Sequence, residues 1–215
     1  MHSGGGARGS RADQADQRRA ELLEAARKVV VERGLASTRV SDIAKATNVS
    51  GGLIHYHFAT KDDLITEMLR STSESEIQRL KEIVAGPESA VERLDRVLRL
   101  VIPASRDDQG WILWLDAWTV GVREEHVRTL LLEFEGAWID ILRDVITQGV
   151  IAGEFDCDDP QGAAERLDGM LDGLAIRYTL EAGNLSRARL LEHARVAAAR
   201  EVGLERSAFP AEDGL

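Results

Sequence analysis

A chain of 215 residues is one to two domains long, and 44% hydrophobic with 30% charged residues is a globular composition, which excludes collagen-like and wholly disordered chains. The formal net charge of −10 argues against a polyanionic partner only on average: residues 1–60 carry nine Lys/Arg against six Asp/Glu, and the remainder carries 18 against 31, a small basic front on a large acidic body. No run approaches the roughly 18 consecutive apolar residues of a membrane span, and the N-terminal stretch lacks the apolar core of a secretory signal, so a cytoplasmic protein with no membrane partner is expected.

Only four prolines among many Ala, Leu, Glu and Arg predict helix throughout. Residues 1–14, with Gly4, Gly5 and Gly6 and no apolar periodicity, are expected as a flexible tail. Arg8 and Arg11 have the chemistry of a minor-groove arm, but such composition favours a solvated terminus. From Asp16, Leu22, Ala25, Ala26, Val29 and Val30 recur at helical spacing until Gly34, which suits a left-handed cap. Thr38 reads as the N-cap of a two-turn second helix with Val40, Ile43 and Ala44 inward. Thr47, Asn48, Val49 and Ser50 form a tight turn, in which Asn tolerates the left-handed backbone and Ser50 caps a short third helix to about Phe58. That is a helix-turn-helix. Thr60 then caps a long fourth helix, which stops at Gly86-Pro87.

A fifth helix from about Glu88 to Ile102 ends at Pro103, and a sixth from about Asp107 to Val120 places Trp111, Trp114 and Trp118 on one face. The seventh runs from about Glu124 to Ala152 with Phe134 and Trp138, and Gly153 caps it. The single cysteine, Cys157, reads as an inert residue in the next connection, since one thiol closes no disulfide within the chain and has too few neighbours for structural zinc. The eighth helix starts near Asp159-Pro160, and the ninth runs from about Ser186 to Val202. No period-two alternation predicts a strand, so the fold class is all-α, with about nine helices.

Thr38, Val40, Asp42, Ile43, Ala44, Val49, Ser50, Gly52, His57, Phe58, Lys61 and Leu64 together resemble the DNA-binding signature of the TetR family of bacterial one-component transcriptional regulators, over Ala15 to Leu64. Gly149 to Leu174, with Gly153, Glu154, Phe155 and then Leu171, Asp172, Gly173, Leu174, is similar to the ligand-binding half of the betaine-regulator-like subgroup. Two departures stand out: Asn48 occupies a place where the family commonly has glycine, and His55 one where tyrosine is more frequent. The resemblance implies a helix-turn-helix domain at 15–60, a ligand-binding and dimerisation domain at 61–205 and a C-terminal tail at 206–215. It implies a homodimeric repressor that binds a palindromic double-stranded DNA operator and answers to an apolar or aromatic small molecule.

On that reading Ser50, Gly51, Gly52, Leu53 and His55 meet base edges in the major groove, while Thr38, Arg39, Ser41, Tyr56, His57 and Lys61 hold phosphates. Taken singly, Thr38 and Ser50 also read as caps, Tyr56 as core and Lys61 as a solvated charge. His55 and His57, two apart, lie on different helix faces and are not expected to bind metal. The tryptophan stripe alone favours a packed core. The resemblance instead makes Trp111, Trp114, Trp118, Phe134, Trp138, Met68, Met170, Leu174 and Tyr178 cavity walls, with Asp116, Arg123 and Tyr178 as polar anchors. Gly169 and Gly173, four apart beside Leu167, Leu171 and Leu174, cost helix stability unless another helix approaches closely, from its own subunit or from a mate. Helices eight and nine are therefore expected to pair with their twofold mates, Leu190, Ala194, Ala197 and Ala198 supplying a small-residue face. The rivals are an enzyme using Asp116, His126 or Glu133 as acid or base, and a helical protein-interaction module. No nucleophile elbow, phosphate loop or metal spacing supports an enzyme or a cofactor.

Overall fold

The computed structural model describes residues 11–181 and 183–211, which form nine α-helices and one short 3₁₀ turn, with no strand among the described residues. The expected arm residue Arg8 and residues 212–215 lie outside that range. The chain divides after Thr72 into two compact units, and the division falls within a single helix.

The first unit holds α1 (Arg11–Arg33), α2 (Val40–Thr47), α3 (Gly51–His57) and the start of α4 (Lys61–Val84). Helix α1 begins several residues before the expected boundary at 15, because Asp13 sits favourably in its first turn and Gln14 is a good helix former, neither displaying an apolar stripe. Leu22, Ala26, Val30, Ile43, Ile54, Phe58, Leu64 and Leu69 are all essentially buried and form the core of this head. The Arg19 guanidinium lies 4.8 Å from the centre of the Phe58 ring and 3.0 Å from Glu67, tying α1 to α3 and α4. Gly34, at φ +84, ends α1. Thr38 differs from expectation. The α2 cap is Arg39, whose backbone N–H donates to Asp42 at 3.2 Å, while Thr38 is 1% exposed and its hydroxyl donates to the Gly34 carbonyl at 2.8 Å.

The second unit holds the rest of α4 with α5 (Ala90–Val101), α6 (Gln109–Gly121), α7 (Glu125–Ile151), α8 (Pro160–Thr179) and α9 (Arg187–Glu201). Its core joins α5, α7, α8 and α9 through Leu94, Leu98, Leu142, Val145, Leu171 and Leu190, with flanking helices covering the edges. At the turn after α7, Gly153 takes φ +72. Gly149 has no room for a side chain, since a Cβ there would stand 2.1 Å from the Phe155 ring. Glu154 then reaches across to accept the N–H of Ala90 at 2.8 Å, capping α5 from a distance. A fully buried Arg195 on α9 makes two hydrogen bonds to Asp95 on α5, at 2.7 and 3.2 Å. Burial works against the charge on Asp95, but hydrogen bonds from Arg195 and Arg99 outweigh it and hold the carboxyl below its ordinary range.

The C-terminal segment is not wholly a tail. Arg206–Ala208 form the 3₁₀ turn, Arg206 pairs with Glu192 at 2.6 Å, and Phe209 is 3% exposed within the core. An aromatic ring immediately before proline is apolar area enough to anchor a short segment.

Candidate functional site

In the head, the turn between α2 and α3 is built as its residues require. Asn48 takes φ 53, ψ 42, and its N–H and that of Val49 return to the Lys45 and Ala44 carbonyls. Ser50 caps α3, its hydroxyl oxygen accepting the Leu53 N–H at 3.3 Å. With only seven residues, α3 buries one side through Ile54, and Phe58 just beyond it is buried too. The other side carries Ser50, Gly52, His55 and Tyr56 exposed and Gly51, Leu53 and His57 partly so. Tyr56 is 79% exposed, too open to be the core residue its ring alone would imply, and meets His57 edge-on at 5.2 Å. A side chain at Gly51 would touch nothing within 4 Å, and at Gly52 only Ser50 at 3.8 Å. Nothing inside the subunit therefore demands these glycines.

The phosphate candidates separate. Arg39 and Ser41 are exposed on the same unit. Thr38, sealed and hydrogen-bonded, does not reach solvent, and the Lys61 ammonium sits 3.5 Å from the Leu35 carbonyl. The N-terminus of α4 is already closed by a reciprocal Thr60–Asp63 pair, the Thr60 hydroxyl accepting from Asp63 and the Thr60 N–H donating to its carboxylate.

The second unit contains a cavity of about 370 Å³. Helical spacing explains its walls: Trp111, Trp114 and Trp118 share one face of α6, and Phe134, Glu135 and Trp138 one face of α7. Asp168, Asp172 and Ile176 follow at four-residue steps on α8, and Glu76 and Arg79 come from α4. All four tryptophans of the chain line it. Trp111 and Trp118 meet edge-on at 6.2 Å, Trp114 meets Phe134 at 5.7 Å, and the Trp111 indole N–H donates to the Val101 carbonyl at 3.0 Å.

The polar part of this lining differs from expectation. Asp116, Arg123 and Tyr178 are not among the lining residues: Arg123 is exposed, and Tyr178 is buried with Arg106 stacked 5.7 Å from its ring. Met170 and Leu174 pack against the core, and Met68 is buried in the first unit. Neither Asp116, His126 nor Glu133 reaches the cavity. The acids that do are Asp168, Asp172, Glu135, Glu76 and Asp108. Burial, aided by Glu135, pushes Asp168 up to about 6, and burial together with the Asp168 and Glu135 charges pushes Asp172 up to about 7. The sequence carried a sign of this, since two acids four apart sit one residue beyond Leu167 and Leu171 on the same helix.

The expected dimer residues also divide. Leu167, Leu171, Leu190, Ala194 and Ala198 are 0–1% exposed inside their own subunit, because an apolar stripe on α8 or α9 serves the core before any mate. Gly169 and Gly173 are exposed and a Cβ at either would meet nothing within 4 Å, so close packing within the subunit does not account for them.

Residues 22–68 match the family described as bacterial regulatory proteins, tetR family, and residues 90–203, more than half of the chain, match the BetI-type transcriptional repressor C-terminal family. The chain belongs to the TetR family. It is 30% identical over 174 residues to the HTH-type transcriptional regulator BetI of Rhizobium meliloti, covering 79% of this chain and 81% of that one. It is 27% identical over 151 residues to the HTH-type transcriptional repressor KstR2 of Mycobacterium tuberculosis, covering 68% of this chain and 76% of that one. A putative transcriptional regulator from Saccharomonospora viridis, solved in complex with choline, superposes with a TM-score of 0.76 at 28% identity, over 83% of this chain and 94% of that one. This TetR-family protein is a DNA-binding transcriptional regulator. Among its described residues, no helix is long and apolar enough to cross a membrane.

Proposed function

We propose that the protein is a homodimeric repressor that holds a palindromic operator with the exposed side of α3 and lets go when a small molecule occupies the cavity of the second unit. The observation that carries the DNA half is the composition of α3: one face closes the head's core, and the other is open, with two glycines that no internal contact requires. Glycines there allow the helix backbone to come close to a groove wall, which side chains would prevent. Ser50, Leu53 and His55 then read base edges, and Arg39, Ser41, Tyr56 and His57 take phosphates. Thr38 and Lys61 contribute by fixing the turns behind that surface. In a symmetric dimer the two recognition helices enter successive major grooves about 34 Å apart. The outward Gly169 and Gly173, with the half-buried Ala197, form the part of α8 and α9 available to a mate.

Supporting the effector half is a cavity inside the range typical of small-molecule sites, about 300–1,000 Å³, walled by rings. Glu76 and Arg79 of its lining stand on α4, the helix that begins in the head. An effector favouring one setting of that helix need supply only about 1–3 kcal/mol of coupling to lower operator affinity several-fold or more. The choline held by the Saccharomonospora viridis relative is consistent with a small effector here.

The test is a fluorescence anisotropy titration of the full-length protein on the DNA flanking its own gene. Binding is expected in the nanomolar range and should weaken roughly 10³-fold between 50 and 200 mM salt, as several phosphate contacts release counterions. No binding, or binding indifferent to salt, would overturn the reading.

A further inference from the structure

We propose that the cavity selects an organic dication: an apolar or aromatic body with two positively charged nitrogens about 6 Å apart, lying between the tryptophan rings with its charges on Asp168 and Asp172. This deepens the effector reading and rests on it.

The cavity gathers every tryptophan in the chain, and indole faces are the best of the side-chain surfaces for a cation as well as for an apolar spacer. Its floor on α8 carries two carboxylates one turn apart, about 6 Å along the helix axis. Glu135, from α7, adds a third acid close enough to act on both. Among the described residues no cation answers Asp168 or Asp172: the charges that act on them are other carboxylates. The remaining charged groups of the lining do not supply the lack. Arg79 on α4 makes no hydrogen bond or ion pair with either, Glu76 is another acid, and the Asp108 carboxylate accepts from the Gly110 and Trp111 amides.

Burial beside other carboxylates is costly for the charged acids, which accordingly hold protons more strongly than usual. A single-headed ammonium would neutralise one carboxylate and leave the other pressed between Glu135 and a low-dielectric wall. Two positive nitrogens at the helix-turn spacing satisfy both. About 370 Å³ also exceeds what one small ammonium head fills, so the space accommodates a ring or chain between the charges. Because the dication replaces protons, its binding is coupled to their release, and acid competes with it.

The experiment uses three ligands of one shape on the full-length protein: p-xylylenediamine with two charges, 4-methylbenzylamine with one, and 4-methylbenzyl alcohol with none, each followed by calorimetry. The diamine is expected to bind roughly tenfold or more tighter than the monoamine, which in turn exceeds the alcohol. Its affinity should fall roughly 100-fold from pH 7.5 to 5.5, where both carboxyls take up protons while the benzylic amines keep theirs, and more shallowly for the monoamine. Asp172→Asn and, separately, Asp168→Asn should each bring the diamine down to the monoamine's level, with melting curves reporting that each variant is folded. Equal binding of diamine and alcohol, no binding by any of the three, or a pH-independent diamine affinity would overturn the proposal. Operator release is read apart, by anisotropy: a diamine that binds tightly but leaves the operator bound contradicts the effector reading and not the ligand class.

Discussion

On the proposed reading, the two units solve opposite recognition problems with the same material. The head works from its outside. Its core is a few apolar residues from α1, α2, α3 and the start of α4, and the surface we propose for DNA is what that core leaves uncovered: Arg39, Ser41, Ser50, His55 and Tyr56. The body works from its inside, where tryptophans from α6 and α7 and acids from α8 enclose a space that no single helix defines. Charge follows the same division, with a basic excess in the first 60 residues and acids concentrated in the rest. On that reading a polyanion is met by the front, and an acidic body keeps the contact from spreading. The same acidity, turned inward at Asp168 and Asp172, favours a ligand of the opposite sign.

This contrast can be broken at several points, beginning with the frame of the body. Asp95→Ala strands the fully buried Arg195 guanidinium and should cost about 3–5 kcal/mol of stability in a denaturant titration. The same pair makes the body acid-sensitive. The Asp95 carboxyl is held below its ordinary range in the fold, so its contribution is full above that range and is lost as pH falls through the lowered value. Tyr56→Ala should separate binding from folding: at 79% exposure its removal leaves stability within about 0.5 kcal/mol, yet operator affinity should fall roughly tenfold in anisotropy.

Asp172→Asn should act in the reverse sense, raising the ligand-free melting temperature by a few degrees at pH 8. Folding lifts this carboxyl to about 7, so it costs stability increasingly as pH rises from the ordinary carboxylate range to that value, and the gain from the amide should fade near pH 4. Ser50→Ala removes the cap of α3 and should cost about 1 kcal/mol by the same denaturant measurement, with a matching loss of operator affinity.

The head was more legible in the sequence than the cavity, for a physical reason. Caps and turns are local: Gly34, Asn48 and Ser50 each declare a backbone conformation within a few residues, and the structure adopts all three. Thr38 misled because its hydroxyl turns back to the Gly34 carbonyl, one of two local partners open to a threonine at that place. In the body, periodicity marked Trp111, Trp114 and Trp118 as one face of α6, yet it gave no means of telling core from cavity wall. Leu167 and Leu190 read as interface and lie in the core for the same reason. The acids of α8 were least visible, since Asp168 and Asp172 at helical spacing look like a solvated face until α7 and α6 are packed over them.

The central claim, that the open side of α3 is what the protein brings to DNA, is tested most directly by hydrogen exchange of the full-length protein with and without operator. Slower exchange is expected in the peptide spanning residues 50–58 and in the α2 entry at 39–41. Unchanged exchange in both, with protection arising elsewhere on the chain, would contradict it.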